Sequence, residues 1–201
     1  MKKTVCIFLA GMLSAAVFAQ AQKQAVQDGI RYHNLAKTES DGYAAKCRET
    51  LQPYIEKDMT ARAYYGSAIT LQADYCSSSN PIHALDLLRE GSAYIDDAVK
   101  RDNSNPGLHI LRLINGIQVS ESSPFKRYAV LKDDIAWLAE TENQKGLDND
   151  TLAQVYLYSG LYKIEEGDID SALDLFDQAS ALSPGSDAAK EAEKMTARYE
   201  E

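Results

Sequence analysis

The sequence predicts an all-α chain of about nine helices, folded as a serial stack of antiparallel helix hairpins. Three observations predict it. Apolar side chains recur at spacings of three and four along the whole chain beyond its first nineteen residues, which places them on single helical faces. No stretch sustains the every-second-residue alternation of a half-buried strand. Helix-capping side chains stand directly before proline at Asn80-Pro81, Asn105-Pro106 and Ser123-Pro124, pairing an acceptor for an orphan N–H with a residue that has no donor to lose in the first turn.

Taken in order, residues 1–19 read as an export leader. Lys2 and Lys3 form a basic start, Thr4 to Ala16 is mostly apolar, and Val17-Phe18-Ala19 supplies small residues for cleavage before Gln20, with Ala19-Gln20-Ala21 as the alternative. The run is too short to span a bilayer, and Cys6 lies inside it rather than at the cleavage point, which argues against a lipid anchor. Residues 20–201 then form a single helical-repeat domain, with helices expected at 22–38, 42–56 (opened weakly by Asp41), 59–75, 81–101, 106–119, 124–141, 151–165, 169–182 and 186–199. The third helix carries Ala61, Tyr64, Tyr65, Ala68 and Ile69 on one face, and the fourth Ala84, Leu88, Gly91, Ile95 and Ala98. Ile110, Leu113, Ile114 and Ile117 mark the fifth, Tyr128, Leu131, Ile135 and Leu138 the sixth, and Ile169, Ala172, Leu173 and Phe176 the eighth. The seventh, started at Asp150-Thr151, has two apolar stripes, Leu157, Leu161 and Ile164 opposite Leu152, Val155 and Tyr156, so it packs on two sides. The last starts at Ser186-Asp187 and keeps Ala188, Ala189, Ala192 and Met195 on one side of a polar surface, as a capping helix does.

Between Leu152 and Pro184, Gly160, Gly167, Ala172, Phe176, Ala179 and Pro184 fall at offsets 0, 7, 12, 16, 19 and 24. Glycine and alanine let two helix backbones approach, Phe176 fills the gap between them, and Pro184 ends the second helix. In these offsets the segment resembles the tetratricopeptide repeat. One departure is Lys163, with Tyr162 beside it, where the repeat commonly has an aromatic. The resemblance covers about one repeat; the remainder of the chain matches in helix size and, over 22–75, in small residues such as Gly29 and Gly66. It implies a right-handed superhelical stack of hairpins whose concave side is lined by the first helix of each pair, so that Gln154, Leu157 and Leu161 would face a binding groove.

Composition excludes several functions. Without Lys2 and Lys3 the chain keeps 19 basic against 30 acidic residues, a formal charge of −11. That field disfavours nucleic acid, and no basic stripe is visible. No segment beyond the leader is long and apolar enough for membrane insertion. G-x-S-x-G, G-x-G-x-x-G and G-x-x-x-x-G-K-[ST] motifs are lacking. His33, His83 and His109 lie on different helices without an i, i+4 partner, so they read as caps, surface groups or core hydrogen-bonders rather than metal ligands. Asp96-Asp97, Asp133-Asp134 and Glu165-Glu166 read as solvated faces, since adjacent helical residues point about 100° apart. Asp148-x-Asp150 and Asp168-x-Asp170 lack the later ligands of a calcium loop.

Cys47 and Cys76 form a candidate disulfide in an oxidising compartment. With a turn near Lys57 and Asp58, their axial mismatch on antiparallel helices is roughly 12 Å, to be closed by a bend at Pro53 or at Ser77-Ser78-Ser79. Two separate, partly buried thiols are the alternative. The twelve tyrosines against four phenylalanines hint at a recognition surface, because tyrosine joins an apolar body to a polar tip. The functional expectation is therefore an exported, periplasmic or secreted module that binds a peptide or protein partner, without catalysis and without a cofactor. The alternative is a periplasmic ligand-binding or transporter-accessory protein that encloses a small apolar solute. Partner identity and oligomeric state are not written in the sequence.

Overall fold

The computed structural model describes residues 2–200, with side chains from residue 19 onward. Among these residues the chain is all-helical: α1 (Lys2–Ala36), α2 (Asp41–Leu51), α3 (Met59–Cys76), α4 (Pro81–Arg101), α5 (Pro106–Ser122), α6 (Tyr128–Ala139), α7 (Asn149–Glu166), α8 (Ile169–Leu182) and α9 (Asp187–Tyr199), with 3₁₀ turns at Gln52–Tyr54 and Thr141–Gln144 and no strand. The leader expected at 1–19 rests on side chains that, except for Ala19, lie outside the described residues. No helix among the described residues is long and apolar enough to cross a membrane.

The caps explain most starts. Asn80 and Asn105 each accept a backbone N–H of the following turn, at 3.2 Å from His83 and 3.1 Å from Gly107, and Ser186 accepts from Ala189 at 3.1 Å. Asp58 and Asp168 do the same for α3 and α8. The first helix runs from Lys2 to Ala36 rather than over 22–38, and three further boundaries differ from expectation. Pro53 has no N–H to continue a helix, so α2 stops at Leu51 and the chain tightens into a 3₁₀ turn. Ser123-Pro124 does not start a helix: the Ser123 hydroxyl bonds back to the Val119 carbonyl at 2.7 Å and accepts from Phe125 N–H, ending α5, and α6 begins only at Tyr128. The cap of α7 is Asp148, accepting from Thr151 at 2.8 Å, two residues before the expected Asp150.

The chain divides into two compact units, Met1–Ala98 and Val99–Glu201. In the first, α1 packs along α2 and α3 around Val26, Cys47, Leu51, Ala61, Tyr65, Ala68 and Ile69. There α3 and α4 meet backbone to backbone, since a Cβ on Gly66 would lie 2.5 Å from the Gly91 carbonyl oxygen. In the second, α7 serves two cores, although Tyr156, expected opposite Leu157, packs on the same core as Leu157, and Leu161 borders both. Ala153 and Leu157 pack with Ala172, Phe176 and Ala179 of α8 and with Ala188, Ala192 and Met195 of α9. Val155 and Tyr162 pack with Ile110, Leu113 and Ile117 of α5 and with Leu131 and Leu138 of α6.

Candidate functional site

The residues of the repeat pattern meet as their types require. A Cβ on Gly160 would lie 2.5 Å from Cε1 of Phe176, so only glycine lets this fully buried ring pack flat on α7. Gly167 closes α7 in the left-handed conformation, φ +78°, with its N–H returned to the Ile164 carbonyl at 3.0 Å. Ala172 and Ala179 are fully buried beside Phe176, and Pro184 stands exposed just past the end of α8. These side chains build the hairpin and leave no polar group for chemistry.

Gln154 is exposed and Leu161 half-buried, but Leu157 is buried in the Phe176 core and has no open surface to offer. The disulfide reading is also corrected, because both cysteines are free thiols. Cys47 is buried and directs its thiol to the Tyr64 carbonyl at 3.9 Å, while Cys76 ends α3 and bonds Ala73. Tyr64 and Cys76 are twelve residues apart on one straight helix, roughly 18 Å, a gap that loop bending does not close. Burial pushes the Cys47 thiol up to about 12, opposed by a backbone hydrogen bond at His33, which leaves it protonated and unreactive.

A different set of groups shares one exposed face of α5, α7 and α9. On α7, Gln154, Tyr158, Leu161 and Glu165 follow helical spacing. From α5, Gln118 donates to the Tyr158 hydroxyl at 3.3 Å, and Glu121 follows three residues later. Desolvation against the helix surface, then the charges of Glu165 and Glu191, hold the Glu121 carboxyl above the usual range, with Lys126 acting the other way. The Tyr158 phenol is raised first by burial and then by Glu121 and Glu191, with the Gln118 hydrogen bond opposing. The Tyr128 phenol is pushed up to about 12, by burial first and then by the nearby Glu165 carboxylate. Glu121 and Glu165 thus act on the two tyrosines from α5 and α7, joined by the charge of Glu191, which Lys194 pairs at 3.1 Å. Glu121 and Glu165 also sit in the last turns of their helices, where the macrodipole is already negative.

Comparison of the chain with protein-family models, with curated proteins and with solved structures finds no match. The site therefore stands on its own geometry.

The structure also assembles a buried polar cluster that the sequence reading missed. Asp134, read there as part of a solvated face, is fully buried. It accepts from Arg112 through both carboxylate oxygens at 2.7 Å and from His109 Nδ1 at 2.6 Å. His109 Nε2 faces the Asn103 carbonyl at 3.0 Å, and its ring stacks on Trp137 at 4.1 Å between centroids. The signal was present: Asp134 is three residues after Leu131 and four before Leu138, both fully buried, and His109 and Arg112 are one turn apart on α5. With Asp134 bound on both oxygens and His109 on both nitrogens, neither side chain has a free atom for a substrate. Among the described residues no group of three or more His, Cys, Asp or Glu side chains is arranged to hold a metal ion.

Proposed function

We propose that the chain is an exported, tetratricopeptide-repeat-like interaction module, and that its α5/α7/α9 face binds a lysine- or arginine-bearing segment of a peptide or protein partner. Catalysis has no part in this reading. The supporting observation is the exposed pair Glu121 and Glu165 beside Tyr128 and Tyr158, with Glu191, paired by Lys194 at 3.1 Å, adding its charge. Like charges held together weaken a fold, and collecting them is explained when a cationic partner neutralises them. Tyrosine adds a π-face for a cation and a large contact area at low entropy cost. In a right-handed stack of hairpins, α5, α7 and α9 would be the first members of successive pairs, which line the concave side. The leader reading adds release into the periplasm after cleavage before Gln20.

The test is fluorescence anisotropy with a labelled lysine/alanine/tyrosine peptide and its glutamate counterpart. The basic peptide is expected to bind, to weaken as salt is raised, and to lose about tenfold in affinity to the Glu121→Gln/Glu165→Gln variant. Equal binding of both peptides, or an unchanged affinity in the variant, would reject the reading.

A further inference from the structure

The first unit carries a cleft that is independent of the acidic face. It lies between α2 and α3, has a volume of about 290 Å³, and is lined by Ala45, Arg48, Glu49 and Gln52 on one side and by Tyr65 and Gln72 on the other. We propose that this cleft binds a small zwitterion of the α-amino-acid class.

The argument starts from Arg48. In a chain with 30 acidic residues, Arg31, Arg62, Arg89 and Arg112 each hold a carboxylate. Arg48 holds none among the described residues: it donates to the neutral Gln72 side-chain oxygen, lies over the Tyr65 ring at 5.4 Å, and keeps a solvent-shielded Nε–H without an acceptor. Most of its five donors are unspent, and a carboxylate in the cleft matches them bidentately. The next residue, Glu49, is exposed, lines the same cleft and has no cation of its own among the described residues. One unpaired charge of each sign on one cleft is complementary to a ligand that carries both. A dicarboxylate would meet Glu49, and a simple cation would meet Arg48.

The remaining lining fits the rest of such a ligand. Gln52 and Gln72 offer carboxamides that both donate and accept. Tyr65, 9% exposed and with the Arg48 guanidinium over its ring, backs the cleft and is held in place by an edge contact with Tyr94, 5.0 Å between centroids, so this backing is formed before any ligand arrives. The volume is at the small end of ligand pockets, which suits a single amino acid rather than a peptide.

The experiment titrates the full chain with each of the twenty standard amino acids to about 10 mM, a range that captures dissociation constants near 1 mM, while NMR follows the amides of residues 45–52 and 65–72. At least one amino acid is expected to shift these signals saturably, with its N-acetyl form (no ammonium) and its amide form (no carboxylate) each at least tenfold weaker. Arg48→Gln should lose at least tenfold for the free amino acid. Glu49→Gln, at an exposed position, should weaken the free amino acid while leaving the N-acetyl form unchanged, which separates loss of the site from loss of the fold. The proposal is overturned if no amino acid gives a saturable shift, if the N-acetyl form binds as tightly as the free one, or if the Arg48→Gln variant binds like the parent.

Discussion

His33 and His109 are both buried, 1% and 6% exposed, and the two units of the molecule accommodate them in opposite ways. In the first unit His33 lies between neutral partners, with Nε2 at 2.7 Å from the Ser67 hydroxyl and Nδ1 at 3.3 Å from the Asn34 side-chain oxygen. A neutral ring satisfies both, accepting from the hydroxyl and donating to the amide oxygen. Burial, then the nearby charge of Lys37, lowers its pKa to about 4, with the Asn34 hydrogen bond opposing. In the second unit His109 lies between two acceptors, one of them a carboxylate already gripped by Arg112. One core avoids charge and the other compensates it. The difference shows that the same residue type on two amphipathic helices acquires its role from the neighbour that packs against it.

The contrast can be broken most sharply at Asp134. Asp134→Ala would take the buried carboxylate away from the mostly buried Arg112 guanidinium, and about 3–5 kcal/mol of stability should be lost. Chemical denaturation would read this loss, with exposed Asp133→Ala as the control, expected within about 0.5 kcal/mol of the parent. If the two variants are equally mild, the buried cluster does not hold α5 to α6.

Acid titration addresses the other side. The folded state keeps His33 neutral while the unfolded chain takes a proton below its ordinary 6.5, so unfolding gains protons and stability falls as pH falls from about 6.5 to about 4, then levels. At about 1.4 kcal/mol per pKa unit, the loss is about 3 kcal/mol. A pH series of denaturation midpoints should show it in the parent, and His33→Gln should flatten that window. A parent curve as flat as the variant's would contradict the neutral site. The smallest effect belongs to Ser67→Ala, which removes the hydroxyl that bonds His33 and should cost about 1 kcal/mol. A cost as large as that of Asp134→Ala would erase the distinction between the two cores.

Much of the architecture was legible in the residues. Cap side chains before Pro81 and Pro106, and the spacing of Gly160, Gly167, Ala172, Phe176 and Ala179, report local backbone geometry and the close approach of the next helix in sequence. Those are short-range constraints, and a linear sequence carries them. The candidate sites were less legible. The Tyr158–Gln118 contact joins residues forty positions apart, and the Arg48 cleft draws on two helices whose facing sides no local rule specifies.

By itself, then, the sequence determined an all-helical chain, most of its helix starts, and the hairpin of α7 and α8, because periodicity and capping act within a few turns. Only the tertiary structure decided that Asp134 is buried while Asp133 is exposed, that Leu157 belongs to the core rather than to a groove, and that Cys47 and Cys76 remain apart. Periodicity gives each helix its faces. Which neighbour covers a face, and at what height along the helix, depends on contacts between distant residues, and those contacts set burial, charge pairing and reach.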